Sequence, residues 1–497
     1  MDQATVTVDF GRSAGALRPI WRSIGYDEIN WTYTARGRAL YDALGRVFRG
    51  PVAVRNHNAL TSGNGLAGPA WGSTNIYHEL ADGRMALDWR WADQIYDVYA
   101  EHDCEPIIEL GFMPRDLSAQ QSATASFGSG QDLGREPYES GAWKYPPKDL
   151  RRWRELCGAF VAHLVGRYGP ERIRRWRFEV WNEPDIQNYW KGSLDEYCAM
   201  YESARAGVKD ALADAQVGGP ATTSRGTEFL RKVLARMDRP EFASFHTKGA
   251  HYTPRRHYNP FLPAPRETPS LGQMLGDIRR DVAVVRERFP DVPILVDECD
   301  PAVGTIYGVY DNPNFIVCNT TYYPTILCAL ADELLRDGEI ERFTTWAFYF
   351  EGKRWFEGNR TLVTNENVEL PVVDGFRMLE RLGDRRVEAS ADKVGVLAGD
   401  RGVIVYHHVD AWWEEGATQV TLRCVGAGSG VRVWRLGDSH ARWREMGSPE
   451  CPSAEQVAAL RAASGLQPGE TVRGEGGRLT HRLDVRAHEA VLCEVLP

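Results

Sequence analysis

Short apolar segments alternate with amphipathic helical segments over the greater part of the 497-residue chain, and this alternation restricts the possible folds. The pattern predicts strands at residues 20–25, 52–55, 106–110, 177–181, 216–219, 243–246, 294–297 and 343–348. Helical periodicity between them is clearest at residues 150–168, 193–213 and 271–288. Eight strands that alternate with helices are typical of the α/β class and predict a (β/α)₈ TIM barrel.

The pattern changes after residue 385, where short alternating segments are separated by glycine-rich turns. This pattern is typical of a small β-sandwich, and we assign the N-terminal segment TVTVDF to it as well. We therefore predict a catalytic barrel over residues 15–384 and an accessory β-sandwich formed by residues 1–14 and 385–497. A doubly wound sheet is the alternative for the first region, but the glycine-rich phosphate turn typical of that fold is not found in the sequence.

Charge and composition exclude several classes of function. The net charge of −9 argues against a protein that binds nucleic acid electrostatically. No apolar stretch is long enough to predict a membrane span, and the N-terminus lacks the pattern of a signal peptide. The nine cysteines are scattered and form no CxxC pair, so neither a zinc site nor a disulfide framework is expected. These features favour a reduced, cytoplasmic protein.

The stretch RFEVWNEPD places a carboxylate at the end of the fourth predicted strand. In a barrel, catalytic side chains stand at the carboxyl ends of the strands, so Glu183 is a candidate catalyst. A second stretch, PILVDECDP, places Glu298 just after the seventh predicted strand. The ends of strands four and seven lie across the barrel mouth from each other, so we expect the two carboxyl groups to face one ligand.

Two facing carboxyl groups suit the cleavage of glycosidic bonds. One of them protonates the leaving oxygen, and the other attacks or supports the anomeric carbon. A separation of about 5–5.5 Å between them would predict retention through a covalent glycosyl-enzyme. The amide of Asn182 is placed to bind the sugar 2-hydroxyl beside the acid. No metal or organic cofactor is expected, because side chains supply both the proton and the nucleophile.

These stretches resemble glycoside hydrolase family 39, a family of (β/α)₈ retaining glycosidases. The resemblance rests on FEVWNEPD and ILVDECDP, together with IIELGFMP, PPKD and the segment from VGRYGPERIRRW onward. It implies that Glu183 is the acid/base and Glu298 the nucleophile. It also implies a small oligosaccharide or glycoside as the substrate.

The same resemblance implies several contacts with the sugar. His57, after the second predicted strand, matches a histidine that reaches the sugar at the cleavage site. His246 matches a histidine near the nucleophile, and Trp346 matches a tryptophan that forms the floor under the sugar. Phe112 either lines this pocket or packs in the core, and either histidine could instead be a structural residue.

The sequence departs from the β-xylosidases of the family after His246, where it reads HTKGA. This form, together with DECDPAVG and the segment around Arg360, is similar to the α-L-iduronidases of the family. In those enzymes the residues that match Lys248 and Arg360 hold the sugar carboxylate. The alternative is that Lys248 or Arg360 pairs with a protein acid such as Asp300 or Glu351.

We expect an exo-acting retaining β-xylosidase, with α-L-arabinosidase activity as a possible side reaction. An α-L-iduronidase-like enzyme is the first alternative. A noncatalytic carbohydrate-binding protein on the same scaffold is the second, although such a protein would be expected to lose one of the two carboxylates. The polar loop at residues 117–142 is a candidate lid over the active face.

Overall fold

The computed structural model describes residues 2–65, 72–120, 142–250, 268–302, 308–310, 312–346, 354–358 and 361–496. The strands in these residues are β1 Asp2–Ala16, β2 Ser23–Tyr26, β3 Ala53–Asn56, β4 Tyr77–Glu79, β5 Met85–Leu87, β6 Glu105–Leu110, β7 Arg177–Val180, β8 Gln216–Thr222, β9 Phe242–Lys248, β10 Ile294–Asp300, β11 Ile340–Phe343, β12 Thr345–Trp346, β13 Arg385–Ala391, β14 Gly395–Gly399, β15 Gly402–His407, β16 Ala417–Val425, β17 Gly430–Arg435, β18 Gln467–Arg473, β19 Arg478–Arg486 and β20 Glu489–Val495.

The helices in the described residues lie mostly between the strands of the first sheet. They are α1 Ala35–Leu44, α2 Arg90–Glu101, α3 Leu150–Tyr168, α4 Pro170–Ile173, α5 Leu194–Ala211, α6 Thr227–Leu234, α7 Leu271–Arg288, α8 Tyr322–Asp337, α9 Val372–Glu380, α10 Ser439–Glu445 and α11 Ala454–Ala463. The bounds of α3 and α7 coincide with the predicted helices.

The first sheet is a parallel barrel with the order β11-β10-β9-β8-β7-β6-β3-β2-β12. It closes because β11 pairs with β10 while β12 pairs with β2, so β11 and β12 are two halves of the eighth strand. The halves are separated at Thr344, whose N–H still donates to the Val296 carbonyl at 2.7 Å. The predicted (β/α)₈ fold is confirmed.

Side-chain caps fix where the barrel helices begin. Asp149 accepts hydrogen bonds from the backbone N–H groups of Arg151 and Arg152 at the start of α3. Ser193 and Glu196 form a capping box at α5, and Ser270 caps α7. Such caps satisfy backbone donors that have no partner within the helix, and each contributes about 1 kcal/mol.

The second sheet contains β1 and the strands after β12, in the order β18-β17-β20-β15-β14-β13-β1-β16-β19. Its two ends share one apolar core, to which Val6 of β1, Leu422 of β16, Val433 of β17 and Leu483 of β19 contribute. The sheet therefore folds over its own core as an accessory β domain. The N-terminal strand pairs antiparallel with β13 and parallel with β16, so it lies within this domain.

Helix α8 joins the barrel to the accessory domain. The Tyr406 hydroxyl of β15 donates to the Asp332 carboxyl of α8 at 2.9 Å, and Arg336 lies 2.7 Å from the same carboxyl. Burial raises the pKa of Asp332 to about 6. The contact between the two domains thus contains a buried acid that titrates near neutral pH.

Helices of the described residues are too short or too polar to cross a bilayer. All nine cysteines are free thiols. Most of the predicted lid, residues 121–141, lies outside the described residues, and so does Arg360.

Candidate active site

The two predicted catalytic acids lie together at the carboxyl end of the barrel. Glu183 lies three residues after the end of β7, and Glu298 lies two residues before the end of β10. Their carboxyl groups lie close to each other and to His246, because one carboxylate oxygen of each acid and one ring nitrogen of His246 all lie within 4.8 Å of one another. Glu298 was predicted to follow its strand, whereas it still belongs to β10, and β9 continues two residues beyond its predicted end at His246.

The backbone around Glu183 is held in an unusual conformation. Trp181 and Glu183 have φ angles of 73° and 45°, in the left-handed region that side chains rarely adopt. Such a conformation costs about 1–3 kcal/mol and persists only where its surroundings enforce it. Here the Glu183 N–H donates to the Ala221 carbonyl at 3.0 Å, and the Trp181 indole donates to the Tyr189 carbonyl at 3.1 Å. These bonds direct Glu183 over the barrel mouth.

Glu298 is surrounded by positive groups. Its Oε2 lies 2.8 Å from Lys248 Nζ, and its Oε1 lies 3.2 Å from Arg55 Nη1 and 3.4 Å from His57 Nε2. Burial opposes its negative charge, but His246, Lys248 and His57 outweigh burial and hold the pKa of Glu298 well below its usual range. Glu298 is therefore an anion at neutral pH.

Glu183 has a different environment from Glu298. Its side chain is 15% exposed, against 6% for Glu298. His246 Nδ1 lies 2.9 Å from Glu183 Oε1 and 3.8 Å from Glu298 Oε2, so this buried ring bridges the two acids. Two carboxylates and a histidine also resemble a metal site, but both oxygens of Glu298 already contact cationic side chains. We therefore assign the cluster to acid–base chemistry.

A buried network lies beneath the pair and was not predicted from the sequence. Arg55 Nε lies 2.6 Å from Glu179 Oε2 and 3.4 Å from Asp297 Oδ2, and its Nη2 donates to Asn182 Oδ1 at 3.0 Å. Burial and the neighbouring Glu179 raise the pKa of Asp297 well above its usual range. The available signal was a charged residue inside each of the apolar stretches VAVRN, IIELG, FEVW and ILVDE.

Lys248 ends β9 and points at the acids. Its Nζ lies 2.8 Å from Glu298 Oε2 and 2.5 Å from Asp300 Oδ2. The pairing with Asp300 is the alternative considered for this lysine in the sequence analysis. Asp300 also accepts a hydrogen bond from the Trp346 backbone N–H at 3.1 Å, so it links the seventh and eighth strands.

Aromatic rings enclose the histidine side of the site. The Trp346 ring centre lies 4.6 Å from that of His57, and the Trp346 indole N–H donates to Asp27 Oδ1 at 3.1 Å. Phe112 lies 5.7 Å from the His57 ring and 4.7 Å from Trp143. Phe112 and Trp346 are both fully buried, so in this structure both pack as walls beneath the site.

A (β/α)₈ barrel with two acids close together at the carboxyl ends of its strands is typical of glycoside hydrolases. Comparison with known proteins supports this class and identifies one family within it. The model of the glycosyl hydrolases family 39 matches residues 6–473. The chain belongs to this family.

Relatives of the chain include enzymes with two different substrates. A β-xylosidase of Geobacillus stearothermophilus is 28% identical over 84% of this chain and 83% of its own length. An α-L-iduronidase of Homo sapiens is 24% identical over 99% of this chain and 78% of its own length. A monomeric β-xylosidase from Caulobacter crescentus CB15 has the same fold, with a TM-score of 0.79 and 23% identity over 99% of both chains.

Proposed function

We propose that the protein is an exo-acting retaining β-xylosidase that releases D-xylose from the non-reducing ends of xylo-oligosaccharides. The observation that carries this proposal is the close approach of Glu183 and Glu298 in unlike environments. One carboxylate oxygen of Glu183 lies within 4.8 Å of one carboxylate oxygen of Glu298, which is close enough for a double displacement, in which the carboxyl groups stand about 5–5.5 Å apart. An inverting enzyme would need a wider gap to hold a water molecule.

We infer a role for each acid from its environment. Glu298, an anion among Lys248, Arg55 and His57, attacks the anomeric carbon while Glu183 gives its proton to the leaving oxygen. The glycosyl–Glu298 ester is then attacked by water, from which Glu183 removes a proton. Asn182, held by Arg55, lies beside Glu183 for contact with the sugar 2-hydroxyl.

The pairing of Lys248 with protein carboxylates favours a neutral sugar as the substrate. Its ammonium group already contacts two carboxylates, Glu298 and Asp300. β-D-Xylose and α-L-iduronate share their configuration at carbons 1 to 4, and they differ in the carboxylate at carbon 5. α-L-Arabinopyranose differs from xylose at carbon 4 alone, so weak α-L-arabinosidase activity is consistent with the same pocket.

An α-L-iduronidase-like activity is the second candidate, because Lys248 lies at the site and a human α-L-iduronidase matches nearly the whole chain. The two candidates are tested by measuring the hydrolysis of 4-nitrophenyl β-D-xyloside and a 4-nitrophenyl α-L-iduronide side by side. Cleavage of the xyloside with β-xylose as the first product, followed by proton NMR, supports the leading proposal. Cleavage of the iduronide alone contradicts it.

A noncatalytic carbohydrate-binding role is tested with the same substrates. We expect the Glu298→Ala variant to bind xylobiose but to hydrolyse none of it, while the wild type turns it over. If the wild type binds xylobiose in calorimetry and hydrolyses no glycoside in a broad screen, the binding role is correct.

A further inference from the structure

Glu109 is a fully buried acid that the proposed chemistry does not use. It lies on β6 and points into the barrel, with its side chain 0% exposed. Its Oε2 lies 2.5 Å from His57 Nδ1 and 3.5 Å from Arg55 Nη2. A buried carboxylate requires a counter-charge, because transfer of an isolated anion from water into the protein interior is very costly.

Arg55 alone does not supply that counter-charge. Its closer contacts are to other groups, at 2.6 Å to Glu179 and 3.2 Å to Glu298. The short contact of Glu109 is to the imidazole of His57. The charge of Glu109 is therefore balanced mainly through that ring.

The other nitrogen of His57 also faces acids. His57 Nε2 lies 3.4 Å from both Asp27 Oδ1 and Glu298 Oε1. A neutral imidazole carries one hydrogen, so either tautomer would turn a nitrogen lone pair toward a carboxylate oxygen. Only the doubly protonated ring places a hydrogen on both sides.

We propose that Glu109 is a positioning residue that holds His57 as an imidazolium beside the nucleophile Glu298. The inference rests on the proposed function, because it gives His57 a part in the reaction of Glu298. Burial lowers the pKa of His57, but the carboxylates of Glu109, Glu298 and Asp27 together outweigh burial and raise that pKa to about 10, with Glu109 the largest of the three. The charged groups in contact with the ring are Glu109, Asp27 and Glu298.

A permanent cation at this position serves both steps of a double displacement. It stabilises the Glu298 anion before attack, and it favours the return of that anion when the glycosyl ester is hydrolysed. His57 then exchanges no proton with the substrate. In the wild type, ionisation of His57 should therefore not affect the rate near neutral pH.

The test compares Glu109→Gln with the wild type over a range of pH. Without the carboxylate, His57 loses one hydrogen in the neutral range, where an ordinary histidine titrates. We expect the variant-to-wild-type ratio of kcat/KM to fall about 10-fold or more between about pH 5.5 and pH 8. Glu109→Asp keeps the negative charge and should restore a flat ratio.

The control removes the histidine. In a His57→Gln background, Glu109→Gln should leave the shape of the pH profile of kcat/KM unchanged, because no imidazole is present to titrate. A flat ratio for Glu109→Gln in the presence of His57 would overturn the inference.

A second measurement does not depend on folding of the variant. In ¹⁵N-histidine NMR of the wild-type protein, we expect both ring nitrogens of His57 to stay protonated through about pH 8. A singly protonated His57 at neutral pH would overturn the inference. If the wild type hydrolyses no glycoside, the proposed function fails, and the NMR titration still decides the charge of His57.

Discussion

At the scale of single residues, the site contains two acids, Glu183 and Glu298, whose neighbouring side chains give them different electrostatic environments. The sequence was sufficient to select Glu183 and Glu298, because each ends an apolar strand in a distinctive motif. It was not sufficient to select Arg55, Glu109 or Asp297, because a charged residue within a strand has no partner until the barrel brings the strands together. The pairing of Lys248 with Asp300 likewise depends on the register between β9 and β10.

The role assigned to Glu183 predicts a dependence on the leaving group. In Glu183→Gln the proton donor is lost, so we expect kcat/KM for xylobiose to fall about 10²–10⁴-fold. The fall for 4-nitrophenyl β-D-xyloside should be smaller, because nitrophenolate leaves without protonation. Initial-rate assays on both substrates measure the difference, with Glu388→Gln on the exposed face of β13 as control. Equal losses on the two substrates would contradict the role.

The cations around Glu298 predict the acid limb of the pH profile. Because the pKa of Glu298 is lowered, the carboxylate persists as pH falls, and activity should be lost only at a pH below the ordinary pKa of a glutamate. Lys248→Met removes a cation, raises the pKa of Glu298 and moves the acid limb of kcat/KM to higher pH. Lys232→Met, on the exposed face of α6, is the control. An acid limb that stays in place in Lys248→Met would contradict this account.

At the scale of elements, the periodicity of apolar residues and the turn-forming residues predicted the barrel strands. The same periodicity gave the bounds of α3 and α7 correctly. The eighth strand was predicted as one segment at residues 343–348, whereas the structure divides it at Thr344. The division depends on hydrogen bonds from Thr344 to β10, which no local pattern encodes. The ends of β9 and β10 were predicted too early, because Lys248 and Asp300 are polar and their mutual neutralisation is a tertiary effect.

Closure of the barrel predicts a strict requirement for glycine at position 25. A Cβ there would lie 2.2 Å from Cε3 of the Trp346 ring, so the ring would have to move. We expect Gly25→Ala to raise KM and to lower stability by about 1–3 kcal/mol. Gly166→Ala in α3, where a Cβ meets nothing within 4 Å, is the control and should be neutral or slightly stabilising. Thermal unfolding and xyloside kinetics test both variants.

At the scale of the whole molecule, the barrel and the accessory domain meet at α8, where Asp332 bonds Tyr406. The domain boundaries at residues 14/15 and 384/385 remain a prediction. Since the N-terminal segment TVTVDF alternates, the sequence could assign it to a β domain, but not to a place between β13 and β16.

The buried Asp332 predicts how the stability of the assembly depends on pH. Its raised pKa, about 6, means that the folded protein favours the protonated acid. Ionisation of Asp332 therefore lowers the free energy of unfolding as pH rises from about 4 to above 6, by roughly 3 kcal/mol in total. We expect the thermal unfolding midpoint of Asp332→Asn to increase relative to that of the wild type as pH rises over this range. Tyr406→Phe keeps the acid and should retain the pH dependence, and a constant difference between Asp332→Asn and the wild type would contradict the prediction.

Strand β1 is synthesised before the barrel, yet its two neighbours in the sheet, β13 and β16, begin only at Arg385 and Ala417. It can pair with β13 and β16 only after the barrel residues between them have been synthesised. Without it, those two strands would present open edges to other chains. Correct assembly of the accessory domain therefore depends on keeping β1 available while the barrel is synthesised.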